Sequence, residues 1–156
     1  MKSKTAVVLH NVRSSHNVGS VFRTADGAGV SEVVLVGYTP LPVDAFGKEN
    51  GEIAKTALGA EGVVPWKSFV TIRSALRYLR AERYWIVSVE QDDRSIPPSR
   101  VRAKNRIAYI LGNEVRGLSQ SVLDSSDQIV ELPMRGRKES LNVSVAAGVV
   151  LYRTLL

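Results

Sequence analysis

The chain contains no cysteine, which excludes disulfides, thiol nucleophiles and cysteine-based zinc or iron–sulfur sites. Histidine is almost as scarce: there are two, His10 and His16, and no metal site is expected from them. No apolar run is long enough to span a bilayer. The start, Met1-Lys2-Ser3-Lys4, leads directly into a short strand-like run and lacks a signal-peptide h-region, so a cytoplasmic protein is expected. There is no internal repeat, low-complexity tract or linker. What remains is an ordinary globular composition, 44% hydrophobic and 23% charged over 156 residues, sized for a single domain, residues 1–156, with a core that needs no staples. Lysine and arginine number 21 against 15 aspartate and glutamate, a formal charge of +6. That excess suits a polyanionic partner, most simply nucleic acid.

Apolar runs alternate with helical periodicities. Thr5–Leu9, Val33–Val36, Gly62–Trp66, Tyr84–Val89, Arg106–Leu111 and Gln128–Leu132 are predicted as strands. Val18, Val21, Phe22 and Ala25 mark a helix with Asn17 as N-cap, closed by Gly27 and Gly29. Ile72, Ala75, Leu76 and Leu79 mark a second helix, and a third runs from about Leu141 to the end with Ser140 as N-cap. The segment 37–52 is predicted as loop. The last helix is apolar nearly all round, so it is expected to be buried on more than one side, in the core or at a subunit contact. The order implies an α/β fold with a mainly parallel sheet flanked by helices, and ligands beyond the carboxyl ends of the strands.

Three segments at those ends carry unusual residues. In the first, His16, Ser20, Arg23 and Gly27 share one helix face. Small neighbours leave the Arg23 guanidinium reachable, and its planar fork suits a phosphate or carboxylate; spacing alone favours a solvated arginine on a capped helix, since single arginines on helices are common. In the second, Gly112-Asn113-Glu114-Val115-Arg116-Gly117 joins a strand to a turn. Gly112 permits close approach of a ligand to the backbone, although a plain strand–turn–helix junction with Ser119 as N-cap accounts for it too. In the third, Pro133 to Asn142 enters the last helix, and Asn142 either ties loops together or meets a ligand.

In order and spacing, these segments resemble the three motifs of the SpoU (TrmH-like) RNA 2′-O-ribose methyltransferases of the SPOUT superfamily. The matches fall at Asn17, Gly19, Arg23, Thr24, Ala25 and Gly29, at Gly112, Asn113, Glu114 and Gly117, and at Pro133, Ser140, Leu141, Asn142, Ser144 and Ala146. Lys55–Ala60 is similar to a connecting segment of the same family. The resemblance implies an α/β sheet with a C-terminal trefoil knot and S-adenosylmethionine as cofactor. Val89, Gly112, Leu132, Met134, Ser140 and Leu141 would line the cofactor. Arg23 would be the catalytic arginine, supported by Asn17, Glu114 and Asn142. A homodimer packed knot to knot is also implied.

Arginine, with a pKa above about 12, is a poor general base. Arg23 is better suited to hold an RNA phosphate and to stabilise charge developing on the ribose oxygen. Further RNA contacts are expected first from Arg135, Arg137 and Lys138. Arg100, Arg102, Lys104 and Arg106 alternate, whereas Arg73, Arg77 and Arg80 share a helix face and read as solvated charge. With no additional RNA-recognition domain, transfer RNA is the first-choice substrate and ribosomal RNA the alternative. A non-catalytic RNA-binding or assembly protein on the same fold, and a methyltransferase acting on a base or a small molecule, are the competing readings.

Overall fold

The computed structural model describes residues 2–156. Six strands form one sheet: β1 (Lys4–His10), β2 (Glu32–Val36), β3 (Trp66–Phe69), β4 (Trp85–Val89), β5 (Arg106–Leu111) and β6 (Gln128–Val130). Their spatial order is β3-β2-β1-β5-β4-β6, and every neighbouring pair is parallel. Helices α1 (Ser15–Gly27), α2 (Gly51–Ala57) and α5 (Val143–Arg153) share one core, while α3 (Ile72–Ala81) and α4 (Gln120–Asp124) share the other. Both sheet faces are therefore covered, which explains strands that read as continuous apolar runs rather than alternating ones. Fully buried side chains fall on both sides, among them Phe22, Leu35, Tyr109 and Leu151 on one and Leu79, Ile86 and Ile110 on the other. Each such side chain contributes roughly 1.5–3 kcal/mol.

The central pair β1 and β5 sets the position of the site. The chain leaving β1 enters α1 on one face, and the chain leaving β5 enters α4 on the other. Parting connections open a crevice at the carboxyl ends of these two strands, the usual ligand position in an open parallel sheet. At the opposite end the buried Glu32 carboxylate accepts hydrogen bonds from the hydroxyls of Tyr78 and Tyr84, at 2.8 and 2.9 Å, which satisfies the charge within the fold.

Several local expectations change. The N-cap of α1 is Ser14, whose hydroxyl accepts from the Asn17 backbone N–H; Asn17 lies inside the first turn, which frees its side chain. The N-cap of α5 is Asn142 rather than Ser140, its Oδ1 accepting from the N–H of Ser144 and Val145. Ser119 does stand at the N-cap of α4, without a side-chain cap bond. The third strand begins at Trp66, not Gly62. Residues 60–62 form a 3₁₀ turn, and Pro65, which has no N–H for a ladder, instead accepts from Val33. The stretch predicted as loop ends in α2, capped by Asn50 through the N–H of Glu52 and Ile53. Gly19 is what lets α2 approach α1: a Cβ there would stand 2.3 Å from the Ile53 carbonyl oxygen and 2.0 Å from Thr56 Oγ1. Strand β6 ends at Val130, although Glu131 still donates to the Ile96 carbonyl.

Candidate active site

The three motif segments meet at one side chain, Asn17. From α1 its Nδ2 reaches the Glu114 carboxylate at 3.4 Å, and its Oδ1 accepts from Asn142 Nδ2 at 3.0 Å. Glu114 also accepts from the backbone N–H groups of Arg13 and Ser14, at 3.1 and 3.2 Å. The carboxylate thus ties the turn after β5 to the chain leaving β1. Burial raises the Glu114 pKa, but the N–H groups of Arg13 and Ser14 and the Asn17 amide outweigh it and hold the carboxyl below its ordinary value. Asn142 does two things at once: it caps α5, and it orients Asn17.

The turn that presents Glu114 is built by Asn113. Its Oδ1 accepts from the N–H of Val115 and Arg116, and its Nδ2 donates to the Asn11 carbonyl and the Tyr38 hydroxyl, both at 3.0 Å. The turn is so tight that a Cβ on Gly112 would lie 2.6 Å from the Gly117 carbonyl carbon. Gly117 has a φ of +64°, and a Cβ there would lie 2.1 Å from Glu90 Oε2. That carboxylate in turn accepts from the Leu118 N–H at 2.9 Å. Sequence reasoning had no signal for Glu90 beyond its position after a strand, and gave Asn113 only a motif match.

Beside the turn is a cavity of about 270 Å³. All six residues expected to contact a cofactor, Val89, Gly112, Leu132, Met134, Ser140 and Leu141, line it, and so does Glu114. Arg23, Asn17 and Asn142 do not line it. Arg23 projects from α1 into solvent and forms no hydrogen bond or ion pair within the described residues. The structure therefore brings Asn17, Glu114 and Asn142 together by hydrogen bonds and leaves the arginine open.

The basic residues separate into groups. Arg80 pairs with Asp127 and Arg106 with Glu82. Lys104 lies over the Trp85 ring at 4.1 Å. Of the alternating series only Arg106 is in a strand, so its members do not project together. Arg135, Arg137 and Lys138 are exposed on the loop before α5. Helix α5 itself is not buried all round: Val143, Ala147, Val150 and Leu151 face the core, whereas Val145, Val149 and Tyr152 are exposed.

A parallel sheet with its crevice at β1 and β5, a glycine-bounded turn after β5 and an asparagine-capped last helix define the SpoU class. The SpoU rRNA Methylase family profile matches residues 4–152, and the chain belongs to this family. It is 33% identical over 149 residues to the 23S rRNA (guanosine-2′-O-)-methyltransferase RlmB of Bordetella pertussis, an alignment covering 96% of this chain and 58% of that protein. The chain thus spans somewhat less than two thirds of the length of such relatives. The AdoMet-bound rRNA methyltransferase from Sinorhizobium meliloti superposes with a TM-score of 0.89 at 26% identity, covering 99% of this chain and 56% of that one. The TrmH/SpoU tRNA modifying enzyme of A. aeolicus superposes with a TM-score of 0.83 at 25% identity, covering 98% and 74%.

Proposed function

We propose that the protein transfers a methyl group from S-adenosylmethionine to a ribose 2′-hydroxyl of ribosomal RNA. The observation that carries this is the hydrogen-bonded series Glu114–Asn17–Asn142, which joins all three motif segments beside a cavity lined by the six expected cofactor residues. The cavity suits such a cofactor. Val89, Leu132, Met134 and Leu141 offer apolar walls for an adenine, and the carboxylates of Glu90, Glu131 and Glu139 offer partners for the cationic groups. When bound, S-adenosylmethionine supplies an electrophilic methyl on a sulfonium.

The chain's own residues then have to hold the RNA and ease loss of the hydroxyl proton. Arg23, unpaired and exposed, holds an RNA phosphate and stabilises negative charge developing on the 2′-oxygen as the hydroxyl proton passes to solvent water. Glu114 and Asn142 act on Asn17 and on the start of α1, and so on the placement of Arg23 two turns further along. The relatives named as 23S rRNA enzymes favour ribosomal RNA over the transfer RNA expected from the sequence. A cytoplasmic location goes with that substrate. The expected knot belongs to the same proposal: the chain reaches the sheet edge at β6, and α5 then returns to pack on β5 and α1. A homodimer, seated on the exposed Val145, Val149 and Tyr152, completes it.

The test is methyl transfer from labelled S-adenosylmethionine to unmodified 23S rRNA and to unmodified tRNA. Label in 23S rRNA, recovered as alkali-resistant dinucleotides, is the expected result. Label confined to tRNA, or to an alkali-sensitive product, would contradict the proposal.

A further inference from the structure

A cavity of about 750 Å³ lies beyond the carboxyl ends of β2 and β3 and is separate from the one assigned to the cofactor. The two are joined through one hydrogen bond. Tyr38 lines the larger cavity, and its hydroxyl accepts from Nδ2 of Asn113, which lines the smaller. Tyr38 is 59% exposed yet fixed at two points, since its backbone N–H also donates to Asn11 Oδ1. A pinned ring with a free face is a stacking platform. Phe69 lines the same cavity. The loop beside it is an ordered hairpin, bridged at Val43 and Glu49 and braced by Asp44 Oδ1, which accepts from the N–H of Phe46 and Lys48. Its tip presents Phe46, 96% exposed.

The charge of the cavity argues against a phosphate. Asp44, Glu49 and Glu52 line it against a single Lys48. Asp44 is engaged in its own turn, and Glu52 is paired with His16 and Lys55. Glu49 has no side-chain hydrogen bond or ion pair within the described residues, so its carboxylate is free to accept. A free carboxylate in a cavity that Tyr38 and Phe69 also line suits a base edge rich in N–H donors.

We propose that this cavity receives the nucleobase of the nucleotide being methylated, stacked on Tyr38, and that Glu49 selects a base presenting N–H donors. Guanine, with its N1–H and 2-amino group side by side, fits a carboxylate in two parallel hydrogen bonds. The inference rests on the proposed RNA methylation. It adds a recognition site, distinct from the cofactor cavity, that places the attached ribose toward the Asn113–Glu114 turn.

Steady-state methyl transfer tests it, with 23S rRNA fragments carrying guanosine or inosine at the methylated position. Inosine lacks the 2-amino group. The unaltered protein is expected to lose roughly 10- to 150-fold in kcat/KM on inosine, which keeps N1–H and so forfeits one of the two bonds, the range for a single hydrogen bond to a charged group, and Glu49→Gln to lose most of that discrimination. Tyr38→Ala is expected to raise the KM for RNA by roughly 5- to 150-fold, as loss of one stacked base does, with S-adenosylmethionine affinity unchanged and Tyr38→Phe restoring most of the loss. Equal discrimination by Glu49→Gln, together with an unchanged KM for Tyr38→Ala, overturns the inference while leaving the methylation reading intact. Absence of methyl transfer by the unaltered protein to any RNA overturns both.

Discussion

Replacing Gly19 by alanine sets local and tertiary preferences against each other. Within an isolated helix alanine is better than glycine by about 1 kcal/mol, so propensity alone favours the substitution. In the folded chain the new Cβ would meet Thr56 Oγ1 at 2.0 Å and the Ile53 carbonyl oxygen at 2.3 Å. Thr56 can rotate, at the expense of its hydrogen bond to the His16 carbonyl. The Ile53 carbonyl belongs to the backbone of α2, so the helix must withdraw by about 1 Å to reach ordinary contact. Overpacking of this kind costs about 1–3 kcal/mol; a backbone clash belongs at the upper end, leaving a net loss of roughly 2 kcal/mol. For a chain of this size that lowers Tm by about 4–8 °C. Gly51→Ala is the control, because a Cβ there meets nothing within 4 Å, and it is expected to leave Tm unchanged or raise it slightly. Thermal denaturation of both proteins alongside the unaltered one reads the difference. A Gly19→Ala protein as stable as the original would refute the reasoning, because it would mean that α1 and α2 do not meet through this glycine.

Three further outcomes are expected. Glu114 has a lowered pKa in the folded chain, so its stabilising contribution is complete above the ordinary glutamate value of about 4.3 and fades as pH falls through the lower folded value; Glu114→Gln should flatten the acid limb of a stability-against-pH curve in that window, and an unchanged limb would count against the tie to Arg13 and Ser14. Asn142→Ala removes the cap of α5 and should cost about 1 kcal/mol, or roughly 2–4 °C in Tm, while lowering methyl transfer by releasing Asn17; a loss of stability with full activity would confine Asn142 to capping. Arg23→Ala removes an exposed side chain with no partner and should change stability by less than about 0.5 kcal/mol in a denaturant titration.

The strands were legible because burial on both faces writes itself as unbroken apolar runs, as in Val33–Val36 and Arg106–Leu111. Strand β3 was misplaced because it is an edge strand with half its residues exposed, and the apolar Val63-Val64 before it belongs to a turn. Helix α2 was missed because seven residues carry little periodicity and its stability comes from Asn50 and from contact with Gly19. Two of the three cap assignments slipped, by two or three residues, since Ser14 and Asn17, like Ser140 and Asn142, are each acceptable caps, and the side chains of Asn17 and Asn142 are also drawn into tertiary hydrogen bonds. At the site, the three segments were recognisable by spacing. Their meeting at Asn17 was not, because the bonds to Glu114 and Asn142 span 97 and 125 residues. Glu90 acts by accepting from the Leu118 N–H, over the face of Gly117 that a Cβ would occupy, which no sequence pattern announces.

The division of labour between the cavity and Arg23 is tested most directly by measuring two quantities on Arg23→Ala: equilibrium binding of labelled S-adenosylmethionine, and single-turnover methyl transfer to unmodified 23S rRNA. Unchanged cofactor affinity with transfer reduced by at least about 100-fold, the scale of a lost charge-stabilising group, is the expected result. Retained transfer, or cofactor affinity lost in parallel with it, would contradict the assignment of Arg23 to the RNA and of the cavity to the cofactor.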